Sequence, residues 1–238
     1  MTSLPTEPLL LPGQAAAPPG PCDMTGMYVM HHAFRRDLAR FASAVHATPV
    51  ASRPTWEALL TRWDLFAREL HHHHTKEDEG IWPLLLERAD DPGRVVLEAM
   101  EAEHGSIDPL LDQVREGLCL LANRRADGGA DATRTDLRRA VVTLGEVLDA
   151  HLAHEEVDAI RLIQQHITAA EWEHLEATVL RGKPSPGQML FMLPWVVDEL
   201  PRAGVDRLLT GAPAPVRWLL ALGRRRYTRL DRRAFAYC

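Results

Sequence analysis

The sequence predicts an all-α protein: an antiparallel up-down four-helix bundle, followed by a short fifth helix and a helical C-terminal appendage. Three observations predict it. Four segments carry apolar residues at three- and four-residue spacing, the pattern of a helix with one buried stripe. No run of β-branched or aromatic residues alternates long enough to make a strand. The connections between the four segments are short and rich in Pro, Gly or Asp, which sets consecutive helices side by side and reversed. At 238 residues and 46% hydrophobic content, the chain can bury one large core and still carry an addition.

Residues 1–23 are rich in Pro and Ala without periodicity and are expected to be a flexible arm. The first helix is expected from about Met24 to Ala47, with Met24, Met27, His31, Phe34, Leu38, Phe41 and Val45 on one stripe, and TPVASRP ends it. The second begins near Thr55 and carries Trp56, Leu59, Trp63, Phe66, Leu70, His73 and Glu77. Pro83 should kink or shorten it beyond that point, because proline removes a backbone donor and crowds the preceding turn. DDPG at 90–93 reads as a turn. The third helix, from about Arg94 to Asn123, presents Leu97, Met100, His104, Ile107, Leu111, Val114 and Leu118, with Pro109 interrupting its hydrogen bonding. ADGGADAT at 126–133 reads as a loop, and the fourth helix follows from about Arg134 to Gln165. Thr168-x-x-Glu171 is a capping box opening the fifth. RGKPSPG then closes a bundle domain of residues 24–180 and leaves 181–238 as the appendage.

One spacing occurs twice: His73-x-x-x-Glu77 and His151-x-x-x-Glu155. Residues four apart on a helix lie one above the other, so each pair points an imidazole and a carboxylate the same way. Both pairs lie within apolar stripes, and the intervening helices carry one inward histidine each, His31 and His104. Two half-bundles facing each other would bring all six groups to one level. A single histidine on an apolar face is more often a hydrogen-bonded core residue than a ligand; the set carries the argument. Ionised carboxylates buried without a partner are costly, and a metal supplies the partner. Of the run His71 to His74, at most two can face inward; His73 is preferred for its register with Glu77, Leu70 and Phe66, and His74, three before Glu77, stays an alternative. Imidazole and carboxylate donors without thiolate suit iron, manganese or zinc, and six or seven donors exceed one tetrahedral zinc, so two metals are the better count.

The segments MHHAFRRDL, HHHHTKEDEGIWP, EAEHGSIDPLL and HLAHEEVDAI resemble the four signature helices of hemerythrin and the hemerythrin-like HHE cation-binding proteins. The resemblance covers about residues 24–180. It implies a bundle holding two non-haem iron ions, oxo- or hydroxo-bridged, with His31, His73, Glu77, His104, His151 and Glu155 as ligands. In oxygen-carrying members the third helix supplies two histidines four apart, whereas here Asp108 follows His104 at that spacing. If Asp108 binds, the site gains a hard anionic oxygen; if it does not, one iron is left open to substrate. Glu156 is an alternative carboxylate, and Tyr28, three before His31, is a packing residue within reach of a ligand role. The implied reactions are with dioxygen, peroxide or nitric oxide, in redox chemistry, sensing or detoxification. An oxidase or oxygenase acting on an organic substrate, with residues 187–221 walling a pocket, and an iron store or carrier are the other readings.

The appendage carries 11 Lys and Arg against 4 Asp and Glu, a charge of +7, while residues 1–180 carry −13. Its Trp-bearing apolar stretches and the run RRRYTRLDRR could lie on an anionic membrane surface, bind a nucleic acid or pack on the acidic bundle. Packing is expected, because the bundle's charge lies next door and the helical pieces are short for firm lipid binding, and a basic run alone is weak evidence for nucleic acid. No apolar run reaches the ~20 residues of a membrane span, which argues against integral insertion. The N-terminus lacks a basic-then-apolar leader pattern, and Cys22, Cys119 and Cys238 fit reduced thiols, so a cytoplasmic protein is expected.

Overall fold

The computed structural model describes residues 8–123, 129–180, 182 and 184–238, and no strand occurs among the described residues. In chain order the helices are α1 (Thr25–Ala47), α2 (Arg53–Lys76), α3 (Trp82–Leu86), α4 (Asp91–Asn123), α5 (Ala130–His154), α6 (Ile160–His166), α7 (Ala169–Leu175), α8 (Pro186–Val197), α9 (Arg202–Leu209) and α10 (Ala214–Ala234). The four long ones close a ring: α2 packs on α4, α4 on α5, α5 on α1 and α1 on α2. Phe34, Phe41, Trp56, Trp63, Phe66 and Leu148 are fully buried within it. No helix of the described residues is long and apolar enough to cross a membrane.

Local chemistry explains where elements begin. DDPG is the first turn of α4 rather than a separate turn, because Asp90 Oδ1 accepts the Gly93 N–H at 3.0 Å and the proline falls where a helix needs no donor. Thr168 and Glu171 form the capping box that opens α7. A second box, Ser185 with Gln188, opens α8, so the latter part of RGKPSPG starts a helix; Arg181 and Lys183 lie outside the described residues. α5 begins at Ala130, which makes the second half of ADGGADAT helical, while residues 126–128 lie outside the described residues. Pro109 does not break α4. The carbonyl it deprives is that of Gly105, on the exposed side, where water can satisfy it.

Among the described residues three π-helical turns interrupt the α-helices: Glu77–Ile81, Glu155–Ala159 and Glu176–Leu180. The first precedes Pro83. That proline cannot donate to the Glu79 carbonyl, and the wider turn upstream is where the irregularity falls. Gly80 fits the same turn against its neighbour, since a Cβ there would meet Val179 Cγ1 at 2.5 Å.

Residues 8–23 are not a loose arm. Leu9 and Leu11 are buried, the Cys22 N–H donates to Gln164 Oε1 and Gln164 Nε2 returns a bond to the Cys22 carbonyl, both at 2.9 Å, and Trp172 Nε1 donates to the Asp23 carbonyl at 2.9 Å. Anchoring through backbone groups leaves no hydropathy period, which is why the sequence suggested flexibility.

The appendage docks on the bundle, but not through the charges that its composition suggested. α8 packs on α1, and α10 packs on both α8 and α2. The cations at this junction belong to the bundle (Arg36, Arg40, Arg62) and the acids Asp198 and Asp231 to the appendage. The arginines of the basic run face solvent. α8 and α10 touch closely at Gly223, where a Cβ would lie 2.2 Å from the Leu190 carbonyl oxygen. Gly223→Ala must push the two backbones apart and is expected to cost about 1–3 kcal/mol. Urea unfolding reads this directly, and an unchanged midpoint would contradict the close approach.

Candidate metal centre

The register of α1, α2, α4 and α5 brings five imidazoles and two carboxylates together in the bundle core. They fall into two trios, His74 with His104 and His151, and His31 with His73 and Glu155, in each of which the candidate donor atoms lie within 4.8 Å of one another. Every member is buried. Glu77 joins the trios: Oε1 lies 3.1 Å from His73 Nε2 and Oε2 lies 3.6 Å from His104 Nε2. Glu155 does the same, its Oε2 being 3.2 Å from His31 Nε2 and 3.9 Å from His151 Nε2. Each carboxylate thus reaches one imidazole of each trio. Both begin a π turn. The extra residue of such a turn shifts the helix phase just past the carboxylate, a feature frequent at functional sites.

Carboxylates across the bundle orient the rings. Asp78 Oδ1 lies 2.8 Å from His104 Nδ1, Glu103 Oε2 2.8 Å from His151 Nδ1, and Glu156 Oε1 2.9 Å from His31 Nδ1. A Nδ1–H held this way fixes the tautomer and turns the Nε2 lone pair toward the centre, as in metal-bound histidines. Glu156 is itself held by both terminal nitrogens of Arg35, at 2.6 and 3.2 Å, and by the Ala15 N–H at 2.6 Å, so the N-terminal segment braces the site. Phe34 packs at a tilt against His73 and against Trp195 of α8.

With only the protein's charges acting, burial opposes ionisation throughout. It is overcome at His31, raised to about 9 by Glu155 and Glu156, and at Glu155, lowered to about 2 by His31, His151 and His104. At His73, His74, His104 and Glu77 burial prevails. Burial and neighbouring imidazoles hold His73 and His74 well below the ordinary histidine value; burial and then His151 lower His104; burial, Glu155 and Asp78 raise Glu77. Both oxygens of Glu77 and Glu155, both ring nitrogens of His74, and Nε2 of His104 and His151 are buried without a hydrogen bond. The short Glu77 and Glu155 contacts to histidine are therefore misaligned as hydrogen bonds. So many orphaned lone pairs converging on one point is costly for a plain core and suits a cation.

The structure brings His31, His73, Glu77, His104, His151 and Glu155 together and leaves Asp108 out. The buried stripe of α4 runs through Met100, His104, Ile107 and Leu111, which centres it on the Ile107 side of His104 and rotates Asp108 onto the exposed face. His74 supplies the fifth imidazole instead; His71 and His72 are exposed. Glu156 lies behind His31 rather than among the inner donors. The Tyr28 hydroxyl is buried without a hydrogen-bond partner, and burial together with Glu156 and Glu155 keeps it protonated. Asp78 and Glu103 escaped the sequence reading, because helical periodicity does not show which side chains reach across from a neighbour.

A helical bundle whose core gathers histidines and carboxylates around a point suited to a cation defines a metal-binding protein. The family model for the hemerythrin HHE cation-binding domain matches residues 25–163, and the chain belongs to that family. No curated protein and no solved structure shows significant similarity to the chain.

Proposed function

We propose that the protein is a hemerythrin-like non-haem diiron protein that reacts with dioxygen, peroxide or nitric oxide. The observation carrying this reading is the three histidines His74, His104 and His151 facing the pair His31 and His73, with Glu77 and Glu155 each reaching both groups, which gives borderline nitrogen donors for two ions and two shared hard carboxylates. His74, His104 and His151 would hold one iron; His31 and His73 would hold the other, with Glu77 and Glu155 between them. Iron bound there supplies redox electrons and a position for a small ligand. The two-histidine side has fewer imidazoles and is the side on which we place that position. The chain's own groups do the rest: Asp78, Glu103 and Glu156 orient the rings, and Phe34, Leu70 and Leu148 exclude water.

An oxidase for an organic substrate draws less support. The groove that appendage residues form is lined by Asp206, Leu209, Thr210, Arg217, Leu220, Ala221 and Arg224, none of which belongs to the centre. Three free cysteines support a reducing, cytoplasmic setting. The test is anaerobic iron loading, metal analysis, and mixing of the ferrous protein with oxygen, peroxide and nitric oxide. Two irons per chain, a near-ultraviolet ligand-to-metal band after oxidation and a defined nitric oxide adduct are expected. Trace iron with no such band would sink the proposal, and iron release without adduct formation would favour storage.

A further inference from the structure

We propose that the outer face of α10 docks on an anionic phospholipid surface. Five of the six tryptophans, Trp56, Trp63, Trp82, Trp172 and Trp195, are buried, whereas Trp218 is 77% exposed. Leu222, one turn on and 68% exposed, stands beside it. Continuing along the same face at helical spacing come Arg225, Arg229 and Arg233, with Arg226 and Arg232 flanking them, all exposed. No side chain of these five arginines, nor of Arg224, makes an ion pair or hydrogen bond among the described residues. The single acid of α10, Asp231, is turned to the opposite side, where it pairs with Arg40 at 2.6 Å and approaches Arg62 at 3.6 Å.

The opposite side of the helix is occupied. Leu220, Gly223, Tyr227 and Ala234 are buried, with Gly223 set against α8 and Tyr227 against Arg62 of α2, so the exposed stripe is presented rigidly. From Trp218 to Arg233 it runs about 22 Å. A stripe this straight lies tangent to a flat surface along its whole length. Arginines suit phosphates of any source, but Trp218 and Leu222 discriminate between sources. In a bilayer interface an indole and a leucine gain apolar contact at the depth where the guanidinium groups meet lipid phosphates. On a nucleic acid the arginines could meet phosphates and base edges, but Leu222 would gain little from either.

Anchoring by one shallow face with few apolar groups should be reversible and sensitive to salt. The experiment uses the full-length, iron-loaded chain with vesicles of phosphatidylcholine alone and of phosphatidylcholine mixed in equal parts with phosphatidylglycerol. Co-sedimentation with the mixed vesicles, weakened by salt, and a blue shift of tryptophan emission are expected. The shift should vanish in Trp218→Ala, and the triple variant R225Q/R229Q/R233Q should lose on the order of 100-fold in partitioning. All substituted residues are exposed, so helical content and iron content should match the parent. Failure to bind the mixed vesicles, equal binding to neutral ones, or variants that bind like the parent would overturn the proposal. So would capture by a labelled DNA or RNA duplex that displaces the vesicles, which would assign the face to nucleic acid.

Discussion

If the centre holds two irons as proposed, His74→Ala is expected to leave the protein with one iron per chain instead of two. His74 stacks on His104 with ring centroids 4.0 Å apart and faces His151 edge-on at 5.2 Å, and both of its nitrogens are buried without a partner. Nothing but the centre uses it. Its loss strips one trio to two imidazoles, while the His31, His73 and Glu155 trio keeps every donor. His73→Ala should deplete the other ion, and His72→Ala, on an exposed neighbour in the same run, should change nothing. A milder effect is expected one step out: Glu103→Gln, which weakens the acceptor at His151 Nδ1, should lower metal affinity by about 10- to 100-fold. Colorimetric iron analysis after desalting measures each. An His74→Ala protein with the parent's iron content would remove His74 from the ligand set.

The way His74 was hidden marks where a sequence becomes hard to read. Helical spacing made His31, His73, Glu77, His104, His151 and Glu155 legible, because each falls on the apolar stripe of its own helix. A choice between His73 and His74 on register alone assumes a single inward direction. A helix in a four-helix ring has two neighbours, and its buried arc spans more than the ~100° between consecutive residues. His73 therefore turns toward α1 and His74 toward α4, and adjacent residues serve different trios. Asp108 illustrates the converse. Four residues on, a helix has turned roughly 40° further, which stays inward from the middle of a stripe but not from its leading edge, where His104 sits. The bundle, the capping box at Thr168 and most helix limits were legible because local patterns determine them. The docking of the appendage was legible only as a sum of charges, and the sum misled, since two inward acids, Asp198 just past α8 and Asp231 on α10, decide the contact while the arginines point away.

Those inward acids meet a buried ionic knot, and Asp37→Ala is expected to cost about 3–5 kcal/mol by cutting it. Asp37 Oδ2 lies 2.7 Å from Arg62 Nη2 and accepts the Trp195 indole N–H at 2.8 Å, while Oδ1 accepts Arg36 Nε at 3.0 Å and Nη2 at 2.8 Å. Arg62 is fully buried, with the rings of Phe191, Tyr227 and Phe235 within 6 Å of its guanidinium. Asp231 approaches it only at 3.6 Å, too far to replace Asp37. Removing the carboxylate leaves Arg62 buried with the Tyr227 hydroxyl and a distant Asp231, and Arg36 with only the carbonyls of Trp195 and Asp198, so two guanidinium groups lose their close counter-charge. Trp195→Phe, which removes one hydrogen bond and keeps the ring, should cost closer to 1 kcal/mol. Burial opposes the charge on Asp37, but Arg62 and Arg36 overcome it and hold the carboxyl below its ordinary value. A depressed folded value means the stabilisation is complete above the unfolded value of about 3.9 and fades as pH falls through the folded one. The gap between parent and Asp37→Asn, which keeps the shape without the charge, should therefore narrow in strong acid. Urea unfolding at neutral and acid pH tests both points, and an Asp37→Ala protein within 1 kcal/mol of the parent would show that Arg62 finds solvent or another acid. Trp195 also packs on Phe34, and Phe34 on His73. Loosening the knot should for that reason weaken iron retention on the His31 and His73 side before the His74, His104 and His151 side, which ties the appendage to the metal centre through packing alone.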